Sequence, residues 1–336
     1  MLVLHLGCWL FAGCVDQPVC MAPLGSTVQV QRLSQLGIFA GDLAQQTPAP
    51  GVTPYEVNVA LYSDRAYKHR FAIVPAGAQL HFAPDRWELP LGTRLVKTFY
   101  YPTDMRDPSR GGQLIETRVL TREGDGLRAG TYVWNPEQTD AFCSGGNLDV
   151  PTHFTDLEGE AHLDHFHVPG TSQCQTCHDN LALGLRTRQM NKDGAFTDGS
   201  VNQIDHLHAL GVLDSAPPER AKLVDPESDA PLDQRARAYL DANCGHCHRP
   251  GGQAAPTRLF LDLDSADPGI CRHTPEVDGA TRVIVPGHPE SSELLARMRA
   301  SDPFVRMPRG PTHIPDGLGL ALLTQWIAAM TPMDCP

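Results

Sequence analysis

Two copies of the pattern C-x-x-C-H constrain this 336-residue chain more than any other feature. Their residues are Cys174, Cys177 and His178 in "QCQTCHDN", and Cys244, Cys247 and His248 in "ANCGHCHRPG". The pattern is the attachment signature of c-type haem, because the two thiols add to porphyrin vinyl groups and the histidine becomes the proximal iron ligand. A helical turn that starts at the first cysteine sets both sulfur atoms along one porphyrin edge. The chain is therefore expected to hold two covalently bound haem c groups.

Two other uses of paired cysteines compete with this interpretation. Structural zinc sites also use C-x-x-C pairs, but they usually combine closer modules in a reducing compartment, whereas this chain begins like an exported protein. A redox-active C-x-x-C follows a strand in a β-α-β unit, and neither motif has such a unit around it. Haem attachment is the preferred interpretation of both motifs.

The sixth ligand of the second iron is expected to be Met307. The stretch "VRMPRGP" places this methionine in a proline-rich loop ahead of the last helix, from where its thioether can point at the metal. Methionine opposite histidine raises the reduction potential, as an electron carrier requires. The alternative is that Met307 only fills space in the core.

Several side chains compete for the sixth position of the first iron. Met190 in "RTRQMN" and His206 in "NQIDHLHALG" are the leading candidates. The other nearby histidines, most of them expected at the surface, are His153, His162, His165, His167 and His208. The spacing H-x-x-H-x-H in "HLDHFH" is also compatible with a separate transition-metal site.

The N-terminus and the remaining cysteines indicate an oxidising compartment. The apolar run "MLVLHLGCWLFAGC" is too short to span a bilayer and is typical of an export signal. Within it "LFAGC" resembles a bacterial lipoprotein cleavage box, which would make Cys14 an acylated membrane anchor; the alternative is a soluble periplasmic or secreted form. Two disulfides are then expected, Cys20 with Cys143 and Cys271 with Cys335, although other pairings of these four cysteines stay open.

The pattern of apolar residues changes along the chain. Period-2 alternation in "TRLVKTFYY", "LIETRVLTR" and "GTYVW" predicts antiparallel strands, and helical spacing broken by Gly/Pro loops follows from about residue 173. The expected fold is multidomain, with an antiparallel β-rich, sandwich-like domain followed by mostly α-helical, cytochrome c-like haem units. The expected divisions are an export signal (1–20), an arm and linker (21–54), the β-rich domain (55–169), the first haem unit (170–225) and a second, class I-like haem unit (226–336).

Helical spacing also predicts the buried faces. In "NQIDHLHALG" it places Leu210 on the apolar face, with Gly211 ending the helix. In "DGLGLALLTQWIAAM" it places Leu318, Leu322 and Trp326 on one face, with Asp316 as the N-cap. One helix is expected to lead into the haem motif and another to close the unit.

Together the quoted stretches resemble bacterial exported dihaem c-type cytochromes of largely unassigned role, which carry a β-rich module ahead of two haem motifs. Also similar are "ELPLGTRLVKTFYYP", "LGLRTRQMN", "ARAYLDANCGHCHRPGG" and "VPGHPESSELLARM". The resemblance implies covalent haem at both motifs, with Met307 at the usual second-unit methionine. In the family it resembles, the position of Met190 is usually occupied by an aliphatic residue. His206, by contrast, matches a histidine of the family's N-Q-aliphatic-x-H helix. The resemblance also implies a parallel β-helix protein as a candidate partner.

These features predict an electron carrier between redox partners in the cell envelope. The alternatives are a peroxidase-like or oxidase-like enzyme with an open position at the first iron, and a recognition protein that binds through β-domain aromatics. Those aromatics are Trp87, Phe99, Tyr100, Tyr132 and Trp134. A nucleic-acid partner is not expected, because 39 acidic residues outnumber 27 basic ones and no basic cluster exists.

Overall fold

The structure is a computed structural model that describes residues 19–23, 25–124, 126–170, 173, 178, 182–266, 269–270 and 282–331. Cys14, Cys174, Cys177, Cys271 and Cys335 lie outside the described residues. The lipid anchor, the first pair of haem attachments and the Cys271–Cys335 disulfide therefore stay predictions. No helix within the described ranges is long and apolar enough to cross a membrane.

The N-terminal half is built on a six-stranded antiparallel sheet in which every strand pairs with its neighbour in the chain. The strands are β1 (Val52–Pro54), β2 (Tyr67–Ile73), β3 (Arg94–Pro102), β4 (Gly112–Glu123), β5 (Gly126–Trp134) and β6 (Ala141–Ser144), and a separate hairpin pairs β7 (Leu148–Thr155) with β8 (Ala161–Val168). The antiparallel β-rich region predicted from period-2 alternation is confirmed. The segment expected to be a linker instead supplies edge strand β1, where Val52 pairs with Ile73.

One face of the sheet is covered by the N-terminal arm. Leu33, Ile38 and Met21 from the arm share a core with Val96 and Tyr132 from the sheet. A disulfide with an S–S distance of 2.07 Å joins Cys20 in the arm to Cys143 in β6, which is one of the two pairs suggested from the sequence. The arm is thus held to the sheet both by apolar burial and covalently.

The other face of the sheet is covered by two different elements. The β7–β8 hairpin packs Phe154 and Phe166 against Phe99 and Tyr101. Further along the same strands, Leu95 shares a core with the segment that follows the first motif. The members of that core from this segment are Ala182, Leu185, Met190, Ile204, Leu207 and Leu213. This segment of the expected first haem unit therefore buries its apolar face against the sheet.

The helices whose bounds the structure gives are short. The α-helices are α1 (Thr187–Met190), α2 (Gln203–Ala209), α3 (Leu232–Asn243), α4 (Glu293–Arg299) and α5 (Gly317–Ala329), and single 3₁₀ turns cover Leu33–Leu36, Leu43–Gln45, Pro108–Arg110, Ala255–Thr257 and Pro289–Ser291.

The C-terminal half has its own apolar core. Leu240, Leu295, Leu323 and Ile327 from α3, α4 and α5 are fully buried together. The helices are short and long loops separate them, so the expected mostly α-helical, cytochrome c-like units are not confirmed.

Two leucines that helical spacing places on buried faces are exposed in the structure. Leu210 is 51% exposed, because α2 ends at Ala209 and Gly211 turns the chain with a positive φ of 71°. Leu318 is 58% exposed, because successive i+4 steps drift by about 40° around a helix and carry it off the buried face. The buried face of α5 starts instead at Gly319, and the predicted Asp316 cap accepts a hydrogen bond from its amide.

Helices α3 and α5 are in direct contact at Gly319. A Cβ at this position would overlap the ring of Tyr239. The Tyr239 hydroxyl donates to Asp316 Oδ2 at 2.8 Å, and burial raises the pKa of Tyr239 well above its usual range. Further along, Trp326 Nε1 donates to Asp233 at 3.0 Å. These contacts fix the helix that leads into the second motif against the helix that closes the unit.

We expect Gly319→Ala to reduce stability, because an added methyl group must displace the Tyr239 ring, and overpacking typically costs about 1–3 kcal/mol. Urea unfolding gives the free-energy difference. The control is Gly317→Ala in the same helix, where an added Cβ has no described atom within 4 Å. If both variants unfold at the same urea concentration, the close approach of the two helices is wrong.

Candidate functional site

The second C-x-x-C-H motif starts where helix α3 ends. The Cys244 amide donates to the Leu240 carbonyl at 2.9 Å, which closes the last helical turn. The amides of Cys247 and His248 both donate to the Cys244 carbonyl, at 3.1 and 2.9 Å. The five residues therefore form one tight helical turn, as the motif predicts, and all three functional side chains are half-buried.

Glycines allow the chain to pass close to this turn. A Cβ at Gly245 would lie 2.8 Å from the Asp241 carbonyl oxygen and 3.0 Å from Asp262 Cα. A Cβ at Gly252 would overlap the Cys247 carbonyl oxygen. The close approach of the backbone therefore requires glycine at positions 245 and 252, so these two residues are constrained as well as the motif residues themselves.

His248 is oriented by the backbone that follows the motif. Its Nδ1 lies 3.3 Å from the Leu259 carbonyl oxygen, and its own carbonyl accepts from the Leu261 amide at 2.7 Å. Because a carbonyl oxygen can only accept, Nδ1 carries the proton and Nε2 keeps its lone pair. Burial lowers the pKa of His248, which also favours the neutral ring. A neutral imidazole with an oriented Nε2 is the form that binds a transition metal.

The thiol of Cys244 lies in surroundings that disfavour its ionised form. Burial raises the pKa of Cys244 to about 12, with Cys247 and Asp316 as further causes. At neutral pH the group is therefore a protonated thiol, whereas nucleophilic and redox-active cysteines have lowered pKa values. This disfavours a C-x-x-C redox centre at the second motif.

A buried ion-pair network lies directly behind the motif. Asp241, in the last turn of α3, accepts from Arg186 Nη1 at 3.1 and 3.0 Å and from the Leu263 amide at 3.0 Å. Arg186 also contacts Asp85 and Asp264, at 2.8 and 3.0 Å. Arg186 belongs to the segment after the first motif, so this network joins the two halves of the chain at the turn that carries the second motif.

A cavity of about 270 Å³ lies beside this network, between the sheet and the second motif. Both charged and apolar side chains line it. Five cations and four carboxylates take part: Arg70, Arg86, Lys97, Arg186, Arg249, Asp85, Asp241, Asp262 and Asp264. The apolar part of the lining includes Val57, Val59, Leu61 and Leu183. His246 also lines the cavity, and burial lowers the pKa of that ring to about 4.

Met307 lies in the loop between α4 and α5. Its amide donates to the Arg297 carbonyl at 3.0 Å, which ties the loop to the end of α4, and its side chain is half-buried. The loop also carries Phe304, which is 85% exposed, and Leu318, the second residue of α5, is 58% exposed. Single exposed apolar side chains are normal on a protein surface, so neither residue by itself indicates a bound group.

The two candidates for the first iron have different surroundings. Met190 is 1% exposed and lies in the core shared with the sheet, with its sulfur 3.8 Å from Gln203 Nε2. His206 stacks on Phe196 and has Nδ1 2.9 Å from Asp198, so Nε2 is the atom it would offer to a metal. His178 is helical and half-buried. Core packing accounts for Met190, which leaves His206 the better candidate.

Sequence reasoning missed three contributors to the site. The Leu259 carbonyl acts through its backbone, so no side-chain pattern could reveal it. The Arg186–Asp241 pair joins positions 55 residues apart in the chain, and nothing in the two quoted stretches that contain these residues indicates that they pair. Comparisons with protein-family models, curated proteins and solved structures find no match for this chain.

We expect Arg186→Gln to destabilise the protein by about 3 kcal/mol, because removing one partner of a buried pair is strongly destabilising. Arg188 Nη1, 3.8 Å from Asp241, compensates for only part of the lost charge. Urea unfolding measures the loss. The matched control is Arg128→Gln, whose exposed partner Glu123 lies 3.6 Å away, and exposed pairs contribute about 0–1 kcal/mol. Equal effects of the two substitutions would contradict the structural role of Arg186.

Proposed function

We propose that this chain is a dihaem c-type cytochrome that transfers electrons between redox partners in the cell envelope. The observation that carries the proposal is the orientation of His248, whose Nδ1 lies 3.3 Å from the Leu259 carbonyl oxygen inside a C-x-x-C-H turn. The second copy of the motif and the family resemblance support the same function. In the second unit, Cys244 and Cys247 would hold the porphyrin, and His248 and Met307 would bind its iron.

The chemistry that bound haem supplies is reversible one-electron transfer at iron. The chain orients the side chains that would bind the iron. Leu259 fixes the His248 ring, Arg297 holds the Met307 loop, and Tyr239 locks α3 against α5. A class I cytochrome c-like second unit over residues 226–336 agrees with a leading helix, a motif turn, a methionine loop and a closing helix.

In the first unit we propose Cys174, Cys177 and His178 as the haem-binding residues and His206 as the sixth ligand. The segment after this motif packs on the sheet, so the β-rich module would act as a scaffold that holds the first haem unit. The recognition alternative loses its main support, because Trp87, Phe99, Tyr132 and Trp134 are buried in the core. Export, a lipid anchor on Cys14 and a parallel β-helix partner belong to the same proposal.

The first test is the number of haems in protein made by a host that attaches haem c. Pyridine haemochrome spectra are expected to give two haems per chain for the wild type and one for the double variant Cys244→Ala/Cys247→Ala. The control is Cys20→Ala/Cys143→Ala, which removes the disulfide and should keep both haems. Colourless wild-type protein would overturn the proposal.

We expect Met307→Ala to lower the potential of one haem, by a sizeable part of the range of about 0.8 V that axial ligands span. The reduced variant should also bind one carbon monoxide per chain, because the loss of sulfur opens the iron. Redox titration and carbon monoxide difference spectra measure both effects.

The control is Met298→Leu, a buried methionine in the core of the same unit, which should leave the potentials unchanged. An unaltered potential in Met307→Ala would place the sixth ligand elsewhere. If the reduced wild type already binds one carbon monoxide per chain, the enzyme with an open first iron becomes the better assignment.

A further inference from the structure

Three metal-binding side chains from distant parts of the chain meet at one place outside the haem motifs. Asp164 and His165 are neighbours on β8, and His313 lies in the loop between Met307 and α5. His313 Nε2 lies 3.4 Å from Asp164 Oδ1, and His165 Nδ1 lies 3.5 Å from the same oxygen. The ligand atoms of all three residues lie within 4.8 Å of one another.

The two separations from Asp164 Oδ1 match those around a small tetrahedral ion. Ligand atoms bound at about 2.0–2.1 Å in tetrahedral geometry lie about 3.4 Å apart. Two imidazoles and one carboxylate are donors that zinc and neighbouring divalent ions prefer. We propose that Asp164, His165 and His313 bind one divalent transition-metal ion of the zinc class, with water in the fourth position.

A buried carboxylate supports the position of His313. Asp64 is 2% exposed, and its Oδ1 accepts from the backbone amides of His313 and Ile314 at 3.0 and 2.9 Å. Its Oδ2 lies 3.0 Å from His313 Nδ1. Metal-binding histidines commonly have such a carboxylate at the second ring nitrogen. This leaves Nε2 facing Asp164.

In the structure His165 has a different kind of partner from the other two histidines of "HLDHFH". His162 contacts Asp156 at 2.7 Å, and His167 contacts Asp149 at 2.7 Å. His165 instead stacks on His313, with ring centroids 4.3 Å apart and planes 2° from parallel. Because parallel rings do not converge on one ion, the half-exposed His165 ring must turn about χ2 when the metal binds.

Such an ion would join two parts of the structure. Asp164 and His165 belong to the hairpin on the sheet, whereas His313 follows the loop that carries Met307. The site would therefore connect the β-rich module directly to the second unit. This inference does not depend on haem, since none of its three ligands belongs to a haem motif.

The experiment is equilibrium dialysis of the full-length protein, isolated with whatever haem it carries, against Zn²⁺, with the retained metal measured by atomic emission. We expect one zinc per chain in the wild type and at least tenfold weaker binding in His165→Gln, His313→Gln and Asp164→Asn. The matched controls are His162→Gln and His167→Gln on the same strand, which should retain zinc. As a second measurement, zinc should raise the melting temperature of the wild type and the controls but not that of the three ligand variants.

Two results would overturn the site. One is no zinc retained by the wild type at concentrations up to about 0.1 mM. The other is retention that the ligand and control substitutions weaken equally. Zinc that survives all three ligand substitutions and disappears after alkylation of thiols would place the ion on the C-x-x-C pairs; that outcome rejects this site and, separately, argues against haem attachment.

Discussion

The buried carboxylate of Asp241 is the constraint on which the arrangement of the two halves depends. A lone charge in the interior costs several kcal/mol. Arg186, which precedes Asp241 in the chain, and the Leu263 amide, which follows it, both bind the carboxylate and offset that cost. Asp241 lies in the last helical turn before Cys244, so the pairing fixes where the second motif starts. Arg186 belongs to the segment after the first motif, and Trp87 and Leu185 hold that segment on the sheet. Sheet, first unit and second motif thus form one connected structure.

The sheet can act as this scaffold because both of its faces are buried. An antiparallel meander usually leaves one face in water, with apolar and polar side chains in alternation. Here the arm covers one side, and the β7–β8 hairpin and the first unit cover the other, so consecutive residues such as Leu95 and Val96 both enter cores. The disulfide between Cys20 and Cys143 adds a covalent limit on how far the arm can leave the sheet.

Local features were predictable from the sequence, and long-range features were not. The strand alternation, the Asp316 cap and the Gly211 helix end each depend on a few neighbouring residues, so the pattern identified them. The error at Leu318 arose because i+4 spacing approximates a period of 3.6 and drifts over one helix. The shared core around Met190, the contact of Arg186 with Asp241, and the approach of His313 to Asp164 each join segments that only the tertiary fold brings together.

The proposed haem site of the second unit depends on more than its ligand residues. A ligand set alone would be weak support, since half-buried histidines are common and often satisfy a local carbonyl. In this unit the histidine stands in a C-x-x-C-H turn, with its Nδ1 facing the Leu259 carbonyl and its Nε2 left for a metal. Asp316, the N-cap of α5, contributes to the raised pKa of Cys244, so the start of the closing helix lies close to the same turn. The motif, the oriented nitrogen and the closing helix therefore meet at one place, which is what the proposed attachment of a flat apolar group requires.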